Sequence, residues 1–136
     1  LSRYARQCRE KNISFLTDIR SGTVSFLDDN DITSLFCNLL DNAIEATNNI
    51  ENPYIEINTN KRDNTPFVVI TMVNSCRVTP FLPQSNQLIT LKPDKKKHGF
   101  GIKSIRKIVK RHHGDIQMYY NEDTLTFHTI ITLRTN

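Results

Sequence analysis

The run from Asp31 to Asn49 constrains this chain more than any other stretch, because its apolar residues recur at helical intervals. At about 100° per residue, Ile32, Leu35, Phe36, Leu39, Leu40, Ala43, Ile44 and Thr47 share one broad face, suited to a core. Asn38, Asp41, Asn42 and Glu45 fall on the opposite face. A solvated surface is the plain reading of that second face. Against it stand two asparagines one turn apart in mid-helix, where each forfeits a few tenths of a kcal/mol that Glu or Lys would keep. Stacked carboxamides can offer oxygen acceptors to a hard cation or its waters, and being neutral they leave room for an anionic ligand.

With 136 residues, the chain is sized for one domain that buries about two-thirds of its unfolded surface. Its apolar runs fall short of the roughly 20 residues a bilayer span needs. Cys8, Cys37 and Cys76 are odd in number and widely spaced, which suits reduced thiols better than disulfides or metal ligands. The first residue is Leu and not Met, as in a piece of a longer chain. The net charge is +4, but nine of the 18 Lys and Arg residues lie between Lys92 and Arg111, with Asp94 the local acid. Such a block suits nucleic acid, a membrane surface, an acidic partner or a polyphosphate. Few aromatics interleave with it, which argues against stacking on single-stranded bases.

In chain order, Leu1 to about Asn12 reads as a helix with Leu1, Tyr4, Ala5 and Cys8 on one stripe. Ile13 to Ile19 and Thr23 to Leu27 read as two short strands, and Asp28, Asp29 and Asp31 as acidic residues at the start of the long helix. Tyr54, Ile55 and Ile57 open a strand after Asn52-Pro53, and Phe67 to Val73 is apolar enough for a central one. From Cys76 to Lys97 no period is clean. That segment is either disordered or a lid over a site. A second helix is expected from Ile102 to about His113, with Gly114 as its stop. A terminal hairpin follows, with Ile116, Met118 and Tyr120 on one strand and Leu125 to Leu133 on the other. Without a regular βαβ repeat, these elements predict an α+β, two-layer arrangement: one mixed sheet with helices on one face.

Gly99 and Gly101 stand where this reading has a loop entering the second helix, a place where free backbone N–H groups and the helix dipole attract phosphate. A lone Gly-x-Gly is weak evidence, and neither of the longer phosphate-loop patterns is present. The order of the pieces says more. An Asn-bearing helix, a strand ending in Asn74-Ser75, a long basic segment and His98-Gly99-Phe100-Gly101-Ile102 follow one another.

In that order the chain resembles the GHKL superfamily of histidine kinases, gyrase B subunits, mismatch-repair ATPases and heat-shock chaperones. Asn38 to Ala46 is similar to its N box and His98 to Ile105 to its second glycine box. The Asn-Leu-Leu-Asp-Asn-Ala-Ile-Glu-Ala and His-Gly-x-Gly-x-x-Ser-Ile patterns most resemble sensor histidine kinases of the Agr-like peptide quorum-sensing type. The likeness spans about Ile13 to Leu133. It implies a Bergerat-type fold over 13–136, with 1–12 as the end of a dimerisation helix or linker.

The resemblance also implies ATP and Mg²⁺ as ligands. Asn42 would hold the metal, and Asn38 would support it from one turn earlier. Asn74 stands where most of the superfamily has an adenine-binding Asp, and its carboxamide oxygen can accept the same bond. Gly99 and Gly101 would free amides for the phosphates, flanked by Phe100 and Ile102. Glu45 replaces the phosphate-facing Lys or Arg of most histidine kinases, so that charge falls to Lys92, Lys95, Lys96, Lys97 or His98, which could equally be solvated. Hydrolysing members carry Glu where this chain has Asn38, and an amide is no general base. The implied task is therefore transfer of the γ-phosphate to a histidine on an upstream dimerisation domain, with a response regulator downstream. The implied setting is the cytoplasmic part of a homodimeric cell-membrane protein, without nucleic acid as a partner. The alternative is a nucleotide-binding regulatory module that transfers nothing.

Overall fold

The structure is a computed structural model that describes residues 1–81 and 95–135, with the backbone alone for 95–100. Helix α1 (Ser2–Glu10) leads into strand β1 (Ser14–Ile19), then α2 (Asp29–Ala46), β2 (Tyr54–Lys61), β3 (Phe67–Ser75), α3 (Lys95–Arg111), β4 (Asp115–Asn121) and β5 (Thr126–Arg134). The five strands form one mixed sheet in the order β1-β2-β3-β5-β4. β1 and β2 run parallel and every other pair is antiparallel. The expected α+β, two-layer architecture is thus present, with α2 and α3 against each other and against the sheet. Among the described residues no helix is long and apolar enough to cross a membrane.

The core follows from the periods. Leu35, Leu39, Leu40, Ala43 and Ile44 of α2 are buried, as the helical spacing requires. Every second residue of β2 and β3 turns inward to meet them: Ile55, Ile57 and Thr59, then Val68, Ile70, Met72 and Asn74. Ile105, Ile108 and Val109 of α3 and Ile131 and Leu133 of β5 close the same cluster. Asp28 caps α2, its Oδ1 accepting from the Asp31 N–H at 2.7 Å. α1 packs through Tyr4 and Cys8, both buried, while Leu1 stays half exposed.

Three readings change. Thr23 to Leu27 is a series of turns and not a strand. Thr23 and Ser25 return their hydroxyls to the carbonyls of Arg20 and Gly22, at 2.6 and 2.9 Å, which holds the backbone in turns that a ladder would have to open. Asp31 does stand in the first turn of α2, but it serves as more than a helix-start acid. Its buried carboxylate accepts from Arg111 Nη1 at 2.6 and 2.8 Å and lies 3.3 Å from His112 Nε2, which clasps the start of α2 to the end of α3. The third concerns α3, which begins seven residues before Ile102. Gly99 and Gly101 therefore sit within its first two turns and not in a loop before it. Three consecutive lysines are good helix formers, enough to carry the helix through two glycines that cost about 1 kcal/mol each.

Gly114 does end α3, for a steric reason. His113 takes the positive φ of 49°. Gly114 N–H then bonds to Val109 O at 2.9 Å, and a Cβ on Gly114 would lie 2.0 Å from the carbonyl oxygen of Thr132.

Candidate functional site

Between α2, α3 and the inner face of the sheet lies a cavity of about 370 Å³, within the range of small-molecule sites, about 300–1,000 Å³. Sheet register builds its floor. Met72 pairs with Thr129 and Thr129 with Met118, while Asn74 pairs with Phe127 one row further along. All five side chains line the cavity, with Ile116 beside them. Leu39, Ile102 and Ile105 form the helical walls, and Cys76, Arg77, Val78 and Pro80 the side beyond β3. Asn42 and Glu45 reach it from α2. A more open and more polar hollow of about 490 Å³ lies between residues Lys11–Ile13 and Thr47–Pro53 and contains none of the motif residues.

The rim is set by a contact between motifs far apart in sequence. A Cβ placed on Gly101 would come 3.2 Å from Asn38 Oδ1 and 3.9 Å from Asn42 Nδ2. The glycine thus keeps α3 close over both carboxamides and adds no side chain of its own over their polar atoms. Asn38 is oriented from behind: its Nδ2 donates to Ser34 O at 2.7 Å and to Ser34 Oγ at 3.3 Å, so its oxygen is the atom turned toward Gly101. Ile102 lines the cavity from the next position. The polar face of α2 is therefore mostly not solvated. Asn38, Asn42 and Glu45 are partly covered and only Asp41 is exposed.

Asn74 is the deepest polar group of the site, at 2% exposure. One Nδ2 hydrogen is donated to Ser75 O at 3.1 Å, and Oδ1 is the acceptor it can offer a ligand. Cys76 is buried on the same side, its thiol donating to Val78 O at 3.1 Å. Burial raises its pKa, so at neutral pH it is a protonated wall and not a nucleophile. Tyr120 donates to Cys76 O at 2.8 Å and fixes the chain just past β3. Phe81 lies against Phe127, with centroids 5.7 Å apart.

The structure thus brings Asn42, Asn74 and Ile102 to one cavity, with Gly101 set against Asn38 and Asn42 beside it. Gly99 is placed by its backbone in α3. Lys92, the side chains of Lys97, His98 and Phe100, and residues 82–94 of the expected lid lie outside what is described. Sequence reasoning passed over Met72, Cys76, Met118, Phe127 and Thr129. The shared inward parity of the four strand residues was the signal available, with Cys76 one position past β3.

The residues fit a magnesium–phosphate group in one specific way. Among the described residues, no cluster of three or more His, Cys, Asp or Glu could hold a metal ion unaided. The neutral amides of Asn38 and Asn42, beside a glycine, would instead suit a cation that brings its own anionic ligands, as Mg²⁺ does with phosphates.

A sequence profile of the family described as "GHKL domain" matches residues 27–132. No curated protein sequence matches the chain. Among solved structures, the catalytic domain of histidine kinase ThkA, in a nucleotide-free form, is similar with a TM-score of 0.72 and 25% identity, covering 98% of this chain and 87% of that one. The mycobacterial sensor histidine kinase MprB shares the fold at a TM-score of 0.70 and 16% identity, over 98% of this chain and 90% of its own. ThkA in complex with the response regulator protein TrrA matches at 0.67 and 25% identity, over 99% of this chain and 38% of that one.

Proposed function

The chain belongs to the GHKL domain family, and we propose on that premise that it is the ATP-binding catalytic domain of a two-component sensor histidine kinase. The observation that carries the reading is the packing of Gly101 on Asn38 and Asn42 at the mouth of a cavity that ends on Asn74. Adenine enters the apolar cavity, and its exocyclic amine donates to Asn74 Oδ1. The triphosphate leaves along α2 toward Asn42 and the first turns of α3, whose initial N–H groups have no partners within the helix. Asn42 would hold Mg²⁺, with Asn38 supporting it from one turn earlier. The metal, when bound, neutralises phosphate charge as the γ-phosphoryl is transferred.

In the reaction, the bond from the γ-phosphorus to the β,γ-bridging oxygen breaks and ADP leaves. A phosphorus–nitrogen bond forms to the acceptor imidazole, which loses its N–H proton. This chain contributes alignment and charge placement. Asn38 has no group to take a proton from water, in keeping with transfer and not hydrolysis. The acceptor histidine is assigned to an upstream dimerisation domain, of which 1–12 is the end and 13–136 the catalytic partner. The full protein is proposed to be a membrane-anchored homodimer that passes its phosphoryl group to a response regulator. The Asn-Leu-Leu-Asp-Asn-Ala-Ile-Glu-Ala motif supports the peptide quorum-sensing type.

Calorimetric titration of the chain with Mg-ATP tests the reading. Saturable binding that Asn42→Ala weakens at least tenfold, about 1.4 kcal/mol, is expected. No binding at millimolar nucleotide, or an Asn42→Ala variant equal to wild type, sinks it. Transfer is read by supplying the upstream domain and following γ-phosphate label into an acid-labile phosphohistidine.

A further inference from the structure

Asp41 lies between the two site asparagines in the chain, yet it is the exposed member of the polar face and does not line the cavity. Its partner is on α1. The Tyr4 hydroxyl donates to Asp41 Oδ1 at 3.0 Å and lies 3.4 Å from the Cys37 carbonyl oxygen. Arg3 Nη2 donates to the same hydroxyl at 2.5 Å, and its guanidinium stands 4.6 Å from the ring centroid. Tyr4 itself is buried, at 4% exposure. Cys37 and Asp41 are the two ends of one helical turn, and each immediately precedes a site asparagine: Asn38 in one case, Asn42 in the other. The one hydroxyl proton, given to Asp41 Oδ1 with the Cys37 oxygen as its longer second acceptor, therefore holds the turn that carries both carboxamides, about 100° around the helix from them.

On the reading of Asn42 as the metal-holding residue, we infer that Tyr4 is a positioning residue for the nucleotide site. Its hydroxyl clamps the Cys37–Asp41 turn so that Asn38 and Asn42 face Gly101, and movement of α1 over α2 is felt at Asn42 as a change in Mg²⁺-dependent binding. The clamp acts through geometry and not through charge at the site. An uncharged acceptor at position 41 therefore serves it.

The test uses the whole chain and titrates Mg²⁺ at fixed ATP, with calorimetry as readout and a thermal melt of each variant alongside. Tyr4→Phe keeps the ring in the core and removes the hydroxyl. Asp41→Ala removes the acceptor from an exposed position and leaves the core untouched. Each is expected to raise the Mg²⁺ concentration at half-saturation about fivefold, the weight of one hydrogen bond. The double variant should be no worse than either single one, and Asp41→Asn, which still accepts, should stay close to wild type. A Tyr4→Phe variant that melts lower with unchanged Mg²⁺ dependence shows that Tyr4 only packs, and overturns the inference. Additive effects in the double variant overturn it as well. If wild type binds Mg-ATP normally while these outcomes occur, the clamp fails alone; if wild type binds none, the nucleotide reading fails and takes the clamp with it.

Discussion

Replacing Gly101 with alanine should separate stability from function. The position is helical without a positive φ, so alanine enters without backbone strain and gains about 1 kcal/mol in helix propensity. Its methyl would stand 3.2 Å from Asn38 Oδ1, close enough that Asn38 must give way by a few tenths of an ångström. Asn38 is tied to Ser34 by bonds of 2.7 and 3.3 Å, and loosening that tie costs about 1 kcal/mol. The two effects nearly cancel, so the melting temperature should stay within about 3 °C of wild type. Binding should not escape so lightly. The methyl occupies the approach to Asn38 and lies 3.9 Å from Asn42 Nδ2, where the metal and phosphates are proposed to sit. Mg-ATP affinity should fall at least tenfold, about 1.4 kcal/mol, in a calorimetric or fluorescent-nucleotide titration. An unchanged dissociation constant, within about twofold, would falsify the placement of the phosphates against Gly101. A melting temperature lower by more than about 8 °C would show instead that the contact is a packing seam.

Gly114 should behave oppositely. Its added Cβ would meet the fixed backbone oxygen of Thr132 at 2.0 Å, so Gly114→Ala should cost at least about 2 kcal/mol in urea unfolding and shift the midpoint downward. The Asp31 clasp should show in acid. Arg111 first, and His112 after it, hold the Asp31 carboxyl below its ordinary pKa, so the unfolded chain takes up the proton before the folded one does. Its contribution is thus complete above about pH 4 and is lost as pH falls through the lower folded value. Asp31→Asn should flatten the acid limb of stability against pH, while Arg111→Ala, at a side chain 53% exposed, should cost only about 1 kcal/mol at pH 7. Thr59→Val leaves the Arg20 N–H without the hydroxyl it meets at 3.0 Å, beneath a buried Thr23. A loss of about 1–3 kcal/mol in denaturant melts is expected.

Strand and helix periods made most of the fold legible, because burial of one face is a local pattern repeated along each element. What misled was chemistry that competes with the pattern. Thr23 to Leu27 has the composition of a strand, but its hydroxyls bond back three residues and close turns. Asp31 stands in a run of helix-start acids, and only tertiary contact with Arg111 separates it from Asp28, the actual cap. The glycines of α3 read as a loop, although the lysines before them favour helix. In the site, the motif residues on α2 and α3 were visible from sequence order. The strand walls were not, since each strand lends one or two inward positions to a cavity that no single segment outlines.

One strand did carry a warning. Val68, Ile70, Met72 and Asn74 share the inward parity of β3, so Asn74 puts a carboxamide where three apolar residues precede it. Burying an amide without partners costs about 1–3 kcal/mol, which a position with no task would shed by becoming Val or Ile. Here Ser75 O takes one of the two Nδ2 hydrogens at 3.1 Å, and Asn74 lines the cavity. One of its two donors is satisfied by its own strand, and its carbonyl oxygen can accept from a donor outside. An amide that breaks the apolar parity of a central strand and also lines a cavity, as Asn74 does, is a candidate for the floor of a binding site. Asn38 follows the same rule on α2: its nitrogen is committed to Ser34, and its oxygen is turned toward Gly101. Both side chains are held by neighbours through their nitrogens, as the proposed adenine and Mg²⁺ positions require of their oxygens.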